Sequence, residues 1–335
     1  MKKLFLFHLI LFICTLTLSA QNQWTVSPTT DFAADFPSIA AACASSQVQA
    51  GDILLVNGGT YGNDTISKSI NIIGTGYFLG TNGIEDLQAT TISAQFDNLE
   101  IEEMVSSIYV IGVDVQVNIN IYGTDIAINR CRTNNNIIMH STCETITVEQ
   151  CYIQIALFAY STSKNINVNN SYIGASSSYS FRSGSTSATI GGSFNGIVKN
   201  CVIGGLLSIV NNVQFQNNIF TYPNSFSMPT GGYFTNNIFV STLASDTGSG
   251  NQQGIALNTL FVGATNNSTD GQWQLAENSP AVGAGMGGTD CGMFGGDTPY
   301  VLSGLPGIPN IYSLTTPNTG NNAGMNVEVK VKTNN

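Results

Sequence analysis

Charged residues are scarce in this chain, and basic residues are the scarcest. Only 9% of the 335 residues are Asp, Glu, Lys or Arg, and 10 basic residues stand against 20 acidic ones, a formal net charge of −10. A nucleic-acid-binding surface needs clustered Lys and Arg, and so does a groove that grips a polyanion. The composition therefore predicts no nucleic-acid partner and disfavours an acidic polysaccharide.

The residue types that most often carry catalysis or bind metals are also few. After the first 20 residues there is one histidine, His140, and there is no C-x-x-C pair and no Asp-Asp pair. The adjacent acids Glu102 and Glu103 would point to opposite faces of a strand. The sequence accordingly predicts no metal site and no cofactor, and it leaves any catalytic residue unidentified.

Helical spacing of apolar residues is missing beyond the N-terminus, and a repeat takes its place between Asp125 and Val240. Each copy reads apolar, polar, apolar, polar, usually Asn, then a small anchor residue, any residue, and Ile, Phe or Thr. A fixed period near 20 residues is typical of stacked repeat architectures. The copies are Ile126 to Thr133, Ile146 to Ile153, Ile166 to Ile173, Gly196 to Ile203, Val213 to Phe220 and Gly232 to Phe239. Their anchors are Cys131, Cys151, Ser171, Cys201, Asn218 and Asn237.

Within a copy the apolar residues lie two apart, which is the spacing of a β-strand. Between Val148 and Cys151 the phase slips by one residue, so the chain must bend before the anchor while both halves face inward. Asn tolerates the left-handed backbone region that such a bend requires. The pattern predicts an all-β fold, a right-handed parallel β-helix, over an antiparallel sandwich, which would need hairpin turns every 8–12 residues. The bend residues are Arg130, Gln150, Asn170, Asn200, Asn217 and Asn236.

The stretch before the repeats resembles a known family. A short helix over 39–44, capped by Asp35 or Ser38, precedes Gly51-Asp52-Ile53-Leu54-Leu55-Val56, then Gly59-Thr60-Tyr61 and Lys68-Ser69-Ile70-Asn71-Ile72. This order looks like the opening of right-handed parallel β-helix proteins of the pectate-lyase-like superfamily. The resemblance covers roughly residues 30–240, and it implies the fold rather than an activity.

That resemblance also implies what an enzyme of the superfamily would need. Its lyases typically use Arg or Lys as a base with Ca²⁺ held by clustered acids, and its hydrolases show paired aspartates with a Gly-His-Gly motif. His140 has no flanking Gly, and the predicted solenoid holds few basic residues. We therefore expect a non-catalytic protein that binds glycans or partners on its lateral face. A polysaccharide lyase or glycoside hydrolase remains the alternative.

The remaining segments predict the domain organisation. Residues 1–20 have the Lys2-Lys3 start, apolar run and Ser19-Ala20 cleavage site of a signal peptide, too short for a membrane span. One β-helix domain is expected over 21–298, with an N-terminal cap (31–50) and an irregular C-terminal cap (241–298) in which Trp273 covers the last coil. Residues 299–335 are expected to be an extended tail with a terminal strand laid on the body. This layout resembles secreted proteins of Bacteroidota-like bacteria, and it predicts a secreted, periplasmic or surface location after cleavage near Ala20, without a transmembrane anchor.

Six cysteines follow the signal peptide, an even number that invites disulfides in an exported protein. Cys131, Cys151 and Cys201 occupy the anchor position, where Ser and Asn substitute for them. A column of small, partly polar residues explains that choice, so we expect these three to be buried free thiols. Pairing of Cys43, Cys143 and Cys291, and calcium binding, stay open.

The 20-residue register also predicts a surface. Positions 132, 152 and 172 should stack on the outside of successive coils, giving a row of Arg132, Tyr152 and Tyr172. A sugar ring packs well on an aromatic face, so this row is the candidate site for a polysaccharide or surface glycan; a solvent face that merely carries aromatics is the alternative. An insertion within Gly174 to Gly192, which carries Tyr179 and Arg182, follows the row, and we expect a surface loop that walls it.

Overall fold

The computed structural model describes residues 21–30, 33–80, 88–160, 164–174, 179–183, 195–208, 212–222, 232–242, 248–317 and 325–333. Nearly all of its strands are parallel, and they stack into three long sheets, so the predicted parallel β-helix is confirmed. The ten strands of sheet A are Gln23–Val26, Ile53–Val56, Asn71–Ile73, Ser106–Ile111, Thr124–Asn129, Glu144–Glu149, Lys164–Asn169, Gly196–Lys199, Val213–Gln216 and Gly232–Thr235.

The other two sheets run beside sheet A along the same stack. The nine strands of sheet B are Gly59–Thr60, Ala94–Phe96, Asp114–Val115, Arg132–Thr133, Tyr152–Ile153, Tyr172–Ile173, Val202–Ile203, Ile219–Phe220 and Ile238–Phe239. The seven strands of sheet C are Asp64–Ile66, Leu99–Ile101, Asn118–Ile121, Asn136–Met139, Ala156–Ala159, Tyr179–Ser183 and Leu206–Ser208. Short 3₁₀ helices follow at Leu257–Thr259, Gly271–Trp273, Met286–Gly288 and Leu302–Gly304.

Each repeat copy forms one strand of sheet A, a one-residue bend and one strand of sheet B. The six bend residues, which we call the bend column, all have φ between 45° and 56°, as predicted from their position in the repeat. The strand of sheet C that completes each coil was not identified from the sequence. Asn136–Met139 and Ala156–Ala159 share a place in the coil but no common residue pattern, so the repeat does not reveal them.

The anchor residues form a column inside the stack, and each is at most 1% exposed. This interior column closes backbone hydrogen bonds that the bends leave open. The hydroxyl of Ser171 accepts the Cys151 N–H (3.0 Å), and Asn218 accepts the Cys201 N–H (2.8 Å) while donating to the Val198 carbonyl (2.8 Å). A buried backbone group without a partner is costly, so small polar residues are favoured here over aliphatic ones.

The helix Ile39–Ala44 lies at the start of the stack, and two acceptors hold its N-terminus. The hydroxyl of Ser38 accepts the Ala41 N–H, and the buried carboxylate of Asp64, in the first strand of sheet C, accepts the N–H groups of Ile39 and Ala40. These amides have no partner inside a helix, so an acceptor there stabilises it. The helix joins the core through Ile39, Ala42 and Cys43.

The motif residue Asp52 has a similar role in the first coil. Its carboxylate accepts the backbone N–H of Asn22 and of Gln49 and the indole N–H of Trp24. Burial opposes ionisation of this carboxyl, but the three hydrogen bonds outweigh it and lower its pKa. Asp52 therefore ties the first strand of sheet A to the segment that follows the helix.

The C-terminal tail forms an antiparallel hairpin of Asn310–Thr315 with Glu328–Lys332. The predicted terminal strand is thus present, but four of the five residues from Glu328 to Lys332 are exposed. Glu328–Lys332 pairs with Asn310–Thr315 and is not laid on the body, which corrects the expectation. Asn310–Thr315 is joined to the coils by the Ala89 N–H, which donates to the Ile311 carbonyl. The predicted signal peptide, residues 1–20, lies outside the described residues. None of the helices in the described ranges is long and apolar enough to cross a membrane.

Replacing an interior amide should be costly because it leaves buried backbone groups without partners. Asn218→Ala removes the acceptor for the Cys201 N–H and the donor to the Val198 carbonyl. We expect the free energy of unfolding in urea to fall by about 2–4 kcal/mol. Gln214 has an exposed amide in the strand of sheet A that precedes Asn218. Gln214→Ala should therefore lower the free energy of unfolding by under about 0.5 kcal/mol. Similar losses for the two variants would contradict the inward register.

All six cysteines of the described chain are free and buried, including Cys43, Cys143 and Cys291. Burial raises the pKa of Cys143, Cys201 and Cys291 to about 12, so little reactive thiolate forms at neutral pH. Native protein expressed from residue 21 should therefore react slowly with a thiol reagent. After denaturation without reductant, six thiols per chain should react. A native burst, or fewer than six thiols after denaturation, would contradict this assignment.

Candidate functional site

The predicted row of Arg132, Tyr152 and Tyr172 is built as the repeat implied. The three residues are direct neighbours across adjacent strands of sheet B, and their side chains point out of the stack. The rings of Tyr152 and Tyr172 stack with centroids 4.5 Å apart at 18°. The predicted outward row is therefore present in the structure.

A cover lies over this row. Residues 255–305, which we call the C-terminal segment, pack against the outside of sheet B, and Trp273 stacks on Tyr172 with centroids 4.7 Å apart. Phe78 meets Tyr152 edge to face, and Tyr152 is only 6% exposed. The expectation of an open row is therefore wrong for Tyr152. Trp273 covers Tyr172 on the lateral face. It does not cover the last coil, so the position expected for Trp273 is corrected. A glycan-binding role of the row stays a prediction.

Arg132 is held by an ion pair. Its guanidinium donates to both carboxylate oxygens of Asp114 (2.9 and 3.1 Å), and its central carbon lies 4.5 Å from the centroid of the Phe78 ring. Burial raises the pKa of the Asp114 carboxyl, and the positive charge of Arg132 opposes that rise. Because both partners are largely buried, the pair fixes the edge of the cover more than it offers a charge to a ligand.

The bend column holds the cover in place. Its six side chains leave the coils at the corner between sheets A and B. Five of them donate hydrogen bonds to main-chain carbonyls of the C-terminal segment, and the sixth, Asn217, donates to the Thr289 hydroxyl and accepts the Met286 N–H. The segment runs back along the stack, from the last coils toward the first, as its residue numbers rise. The pairs are Asn236 with Ala284, Asn200 with Gly295, Asn170 with Met293 and Gly295, Gln150 with Thr298 and Pro299, and Arg130 with Leu305.

Gly296 shows how closely the two parts approach. Its φ is +75°, and a Cβ at this position would collide with the side-chain amide of Asn200. Only glycine fits both the backbone conformation and the space. The Gly295-Gly296 pair, which the sequence placed in a terminal cap, is therefore a contact between the C-terminal segment and the middle of the stack.

A buried polar cluster secures the far end of the cover. The hydroxyl groups of Tyr77 and Tyr300 lie 2.5 Å apart, and the Tyr300 hydroxyl donates to the fully buried carboxylate of Asp270. The backbone N–H of Ser303 donates to the same carboxylate (2.6 Å). Burial, together with the negative charge of Asp270, raises the pKa of Tyr77 and of Tyr300 well above the ordinary value for tyrosine. Both hydroxyl groups therefore stay protonated and can donate hydrogen bonds.

Tyr179 and Arg182 lie in a strand, Tyr179–Ser183, and not in a loop alone. The strand belongs to sheet C and pairs with Ala156–Ala159, placing Arg182 beside Phe158. The predicted row belongs to sheet B, so the backbone does not bring these two residues into that row. The described part of the insertion thus extends sheet C by one strand, and a binding role of Tyr179 and Arg182 stays a prediction.

His140 lies in an aromatic ladder at the ends of the sheet C strands. Its ring stacks on Tyr122 (3.8 Å) and faces Tyr160 (5.1 Å). Burial lowers the pKa of the imidazole, so it is mostly neutral at neutral pH. Among the described residues no group of three or more His, Cys, Asp or Glu side chains is placed to hold a metal ion.

The outside of sheet A is a lateral face that the C-terminal segment leaves open. We call it the open face, and its residues are half-buried or exposed while the alternate residues are buried. It consists of two rows across seven strands. The first row is Tyr109, Ala127, Thr147, Asn167, Ile197, Gln214 and Tyr233, and the second is Ile111, Asn129, Glu149, Asn169, Lys199, Gln216 and Thr235.

The open face ends in a pocket at its last coils. A cavity of about 320 Å³ is lined there by the outward side chains of Gln214, Gln216, Tyr233 and Thr235 and by Met286. Tyr233 is 61% exposed, the most exposed aromatic ring on this face, and the Gln216 amide reaches the Met286 sulfur (3.0 Å). The C-terminal segment thus supplies one wall of the pocket. Sequence reasoning missed this site because Tyr233 has no aromatic neighbour in its row.

The bend column should lose its hold on the cover when its amides are removed. Asn170→Gly keeps the positive φ but removes the donor to the Met293 and Gly295 carbonyls. We expect a loss of about 1–3 kcal/mol in unfolding free energy and faster amide hydrogen exchange over residues 290–300.

Asn165→Gly is the matched control, since Asn165 also has positive φ but is exposed and has no contact with the C-terminal segment among the described hydrogen bonds. It should change stability by under about 0.5 kcal/mol. Unchanged exchange over 290–300 in Asn170→Gly would show that packing alone holds the cover.

Comparison with known proteins adds no second source of functional information. No model of a known protein family matches the chain, and a search of the curated proteins finds no match.

Proposed function

We propose that this protein is an exported, non-catalytic β-helix protein that binds a neutral glycan along its open face. The observation that carries the proposal is the exposed Tyr233 ring beside the amides of Gln214 and Gln216 at the end of two long rows. An aromatic ring packs against the apolar face of a sugar, while amides and hydroxyls exchange hydrogen bonds with its hydroxyl groups.

The charge of the open face favours a neutral ligand. Its two rows contain Glu149 and Lys199 as their only ionisable side chains besides tyrosine, and Glu149 already accepts a hydrogen bond from Thr298. A uronate polymer would bring one carboxylate per sugar to a face with a single lysine. The chain's net charge of −10 would oppose such a polymer as well.

The length of the open face suits a chain-like ligand. Neighbouring strands of a sheet lie about 4.8 Å apart, so the seven strands of the two rows extend over roughly 29 Å. Side chains repeat at that spacing with the same orientation, as the residues of an extended polymer do. The binding face is thus matched to an oligosaccharide rather than to one small molecule, and the pocket at Tyr233 is where the contact is closest.

The proposal is tested by binding with a loss-of-ring variant. Residues 21–335 should bind at least one neutral polysaccharide on a glycan array, and titration calorimetry should give its Kd. Tyr233→Ala combined with Gln214→Ala should weaken binding at least tenfold, about 1.4 kcal/mol. Both side chains are exposed, so the far-UV circular dichroism spectrum should not change.

Tyr312→Ala is the control, because Tyr312 belongs to the C-terminal hairpin and not to the open face. It should bind like the parent protein. The same glycans are incubated with the protein and assayed for new reducing ends and unsaturated products. Product release would favour the lyase or hydrolase alternative, and undiminished affinity of the Tyr233 variant would reject the open face as the site.

A further inference from the structure

A second cavity lies within the C-terminal segment itself. It has a volume of about 480 Å³ and is lined by Leu257, Asn258, Phe261, Gly263, Gln272 and Trp273. This volume falls in the range of small-molecule sites. We call it the Trp273 pocket. It lies over sheet B, whereas the glycan face proposed above is the outside of sheet A.

The walls of the Trp273 pocket are fixed by backbone hydrogen bonds. The Val262 N–H donates to the Gln274 carbonyl (3.0 Å) and the Gly263 N–H to the Gln272 carbonyl (3.2 Å), so two short stretches run side by side. The 3₁₀ helix Leu257–Thr259 forms a further wall. A pocket lined by paired backbone is preformed, which lowers the entropy that a ligand must overcome.

The covered row explains how Trp273 is positioned. Tyr152 stacks on Tyr172, and Tyr172 stacks on Trp273 at 4.7 Å, so three rings form one continuous stack that ends at the pocket. Phe261 meets Trp273 edge to face, with centroids 5.2 Å apart at 86°. The indole thus rests on an aromatic support and cannot collapse into the cavity.

The chemistry of the lining indicates the ligand class. Two aromatic rings and Leu257 supply apolar surface, and Asn258 and Gln272 supply amide donors and acceptors. Among the residues that the structure describes, no charged side chain lines the cavity. Burying a carboxylate or phosphate here would lack a compensating charge. We propose that the Trp273 pocket binds a single neutral sugar ring, such as the end of a glycan chain. The ligand class rests on the proposed function, but the site is separate from the open face.

The indole itself can report on this binding. The chain has two tryptophans, so in a Trp24→Phe background Trp273 is the sole source of tryptophan emission. Glucose, galactose, mannose, N-acetylglucosamine and their disaccharides are titrated against residues 21–335 carrying that change. At least one sugar should shift or quench the emission saturably. Asn258→Ala should raise the apparent Kd at least tenfold, since Asn258 is exposed at the pocket and its truncation does not disturb the core.

Asn278→Ala, an exposed amide of the same segment outside the pocket, is the matched control and should leave the response unchanged. No saturable response to any of these sugars, or equal affinities for Asn258→Ala and Asn278→Ala, would overturn the pocket. If polysaccharide binding still depends on Tyr233 in that case, only this inference fails. If Trp273 responds but no polysaccharide binding depends on Tyr233, the pocket stands and the open-face function fails.

Discussion

The left-handed bend between sheets A and B is the constraint on which the molecule depends. A positive φ at one residue lets the chain change direction while the apolar residues on both sides still face inward. The same residue places its side chain at the outer corner, where Gln150 and Asn170 hold the C-terminal segment. Asn satisfies both requirements, because it tolerates the conformation and carries an amide donor. The repeated Asn is therefore selected by backbone and cover together.

Much of the coil was predictable because the same residue spacing recurs in every copy of the repeat. The bend, the interior column and the neighbours of Tyr152 followed from spacing alone, since a parallel stack puts equal repeat positions side by side. Sheet C was not predictable in the same way. Its strands need only alternate apolar residues over about four positions, and many sequences satisfy that need without resembling one another.

The sequence does contain a sign of the cover over sheet B, at the position after each anchor. The position after each anchor accepts any residue in the repeat pattern, yet it holds Val202, Ile219 and Ile238 in the last three coils. All three are buried by the C-terminal segment, Val202 beside Met293 and the two isoleucines beside Leu260 and Cys291. A row of aliphatic residues pointing away from a core indicates a second core. Tyr152 and Tyr172 belong to that row, and so they are largely buried.

This arrangement changes what the aromatic row can contribute to function. Stacking occupies both faces of the Tyr172 ring, and it also fixes the position of the next ring. Trp273 ends the stack begun by Tyr152, and it lines a cavity with Asn258 and Gln272. The two binding surfaces proposed for the protein are thus that pocket and the open face. Neither could be located from the sequence, because each depends on where the C-terminal segment runs.

The backward course of the C-terminal segment also bears on how the stack comes apart. A solenoid held only by neighbouring coils can fray from an end, one repeat at a time. Here Ala284 is bound beside a late coil and Leu305 beside an earlier one, so a single stretch of chain spans the coils from Asn236 back to Arg130. Loss of a terminal coil would loosen a segment that also holds the middle ones. We expect this coupling to make the stack unfold in one cooperative transition, as a globular domain does, in place of a series of local ones.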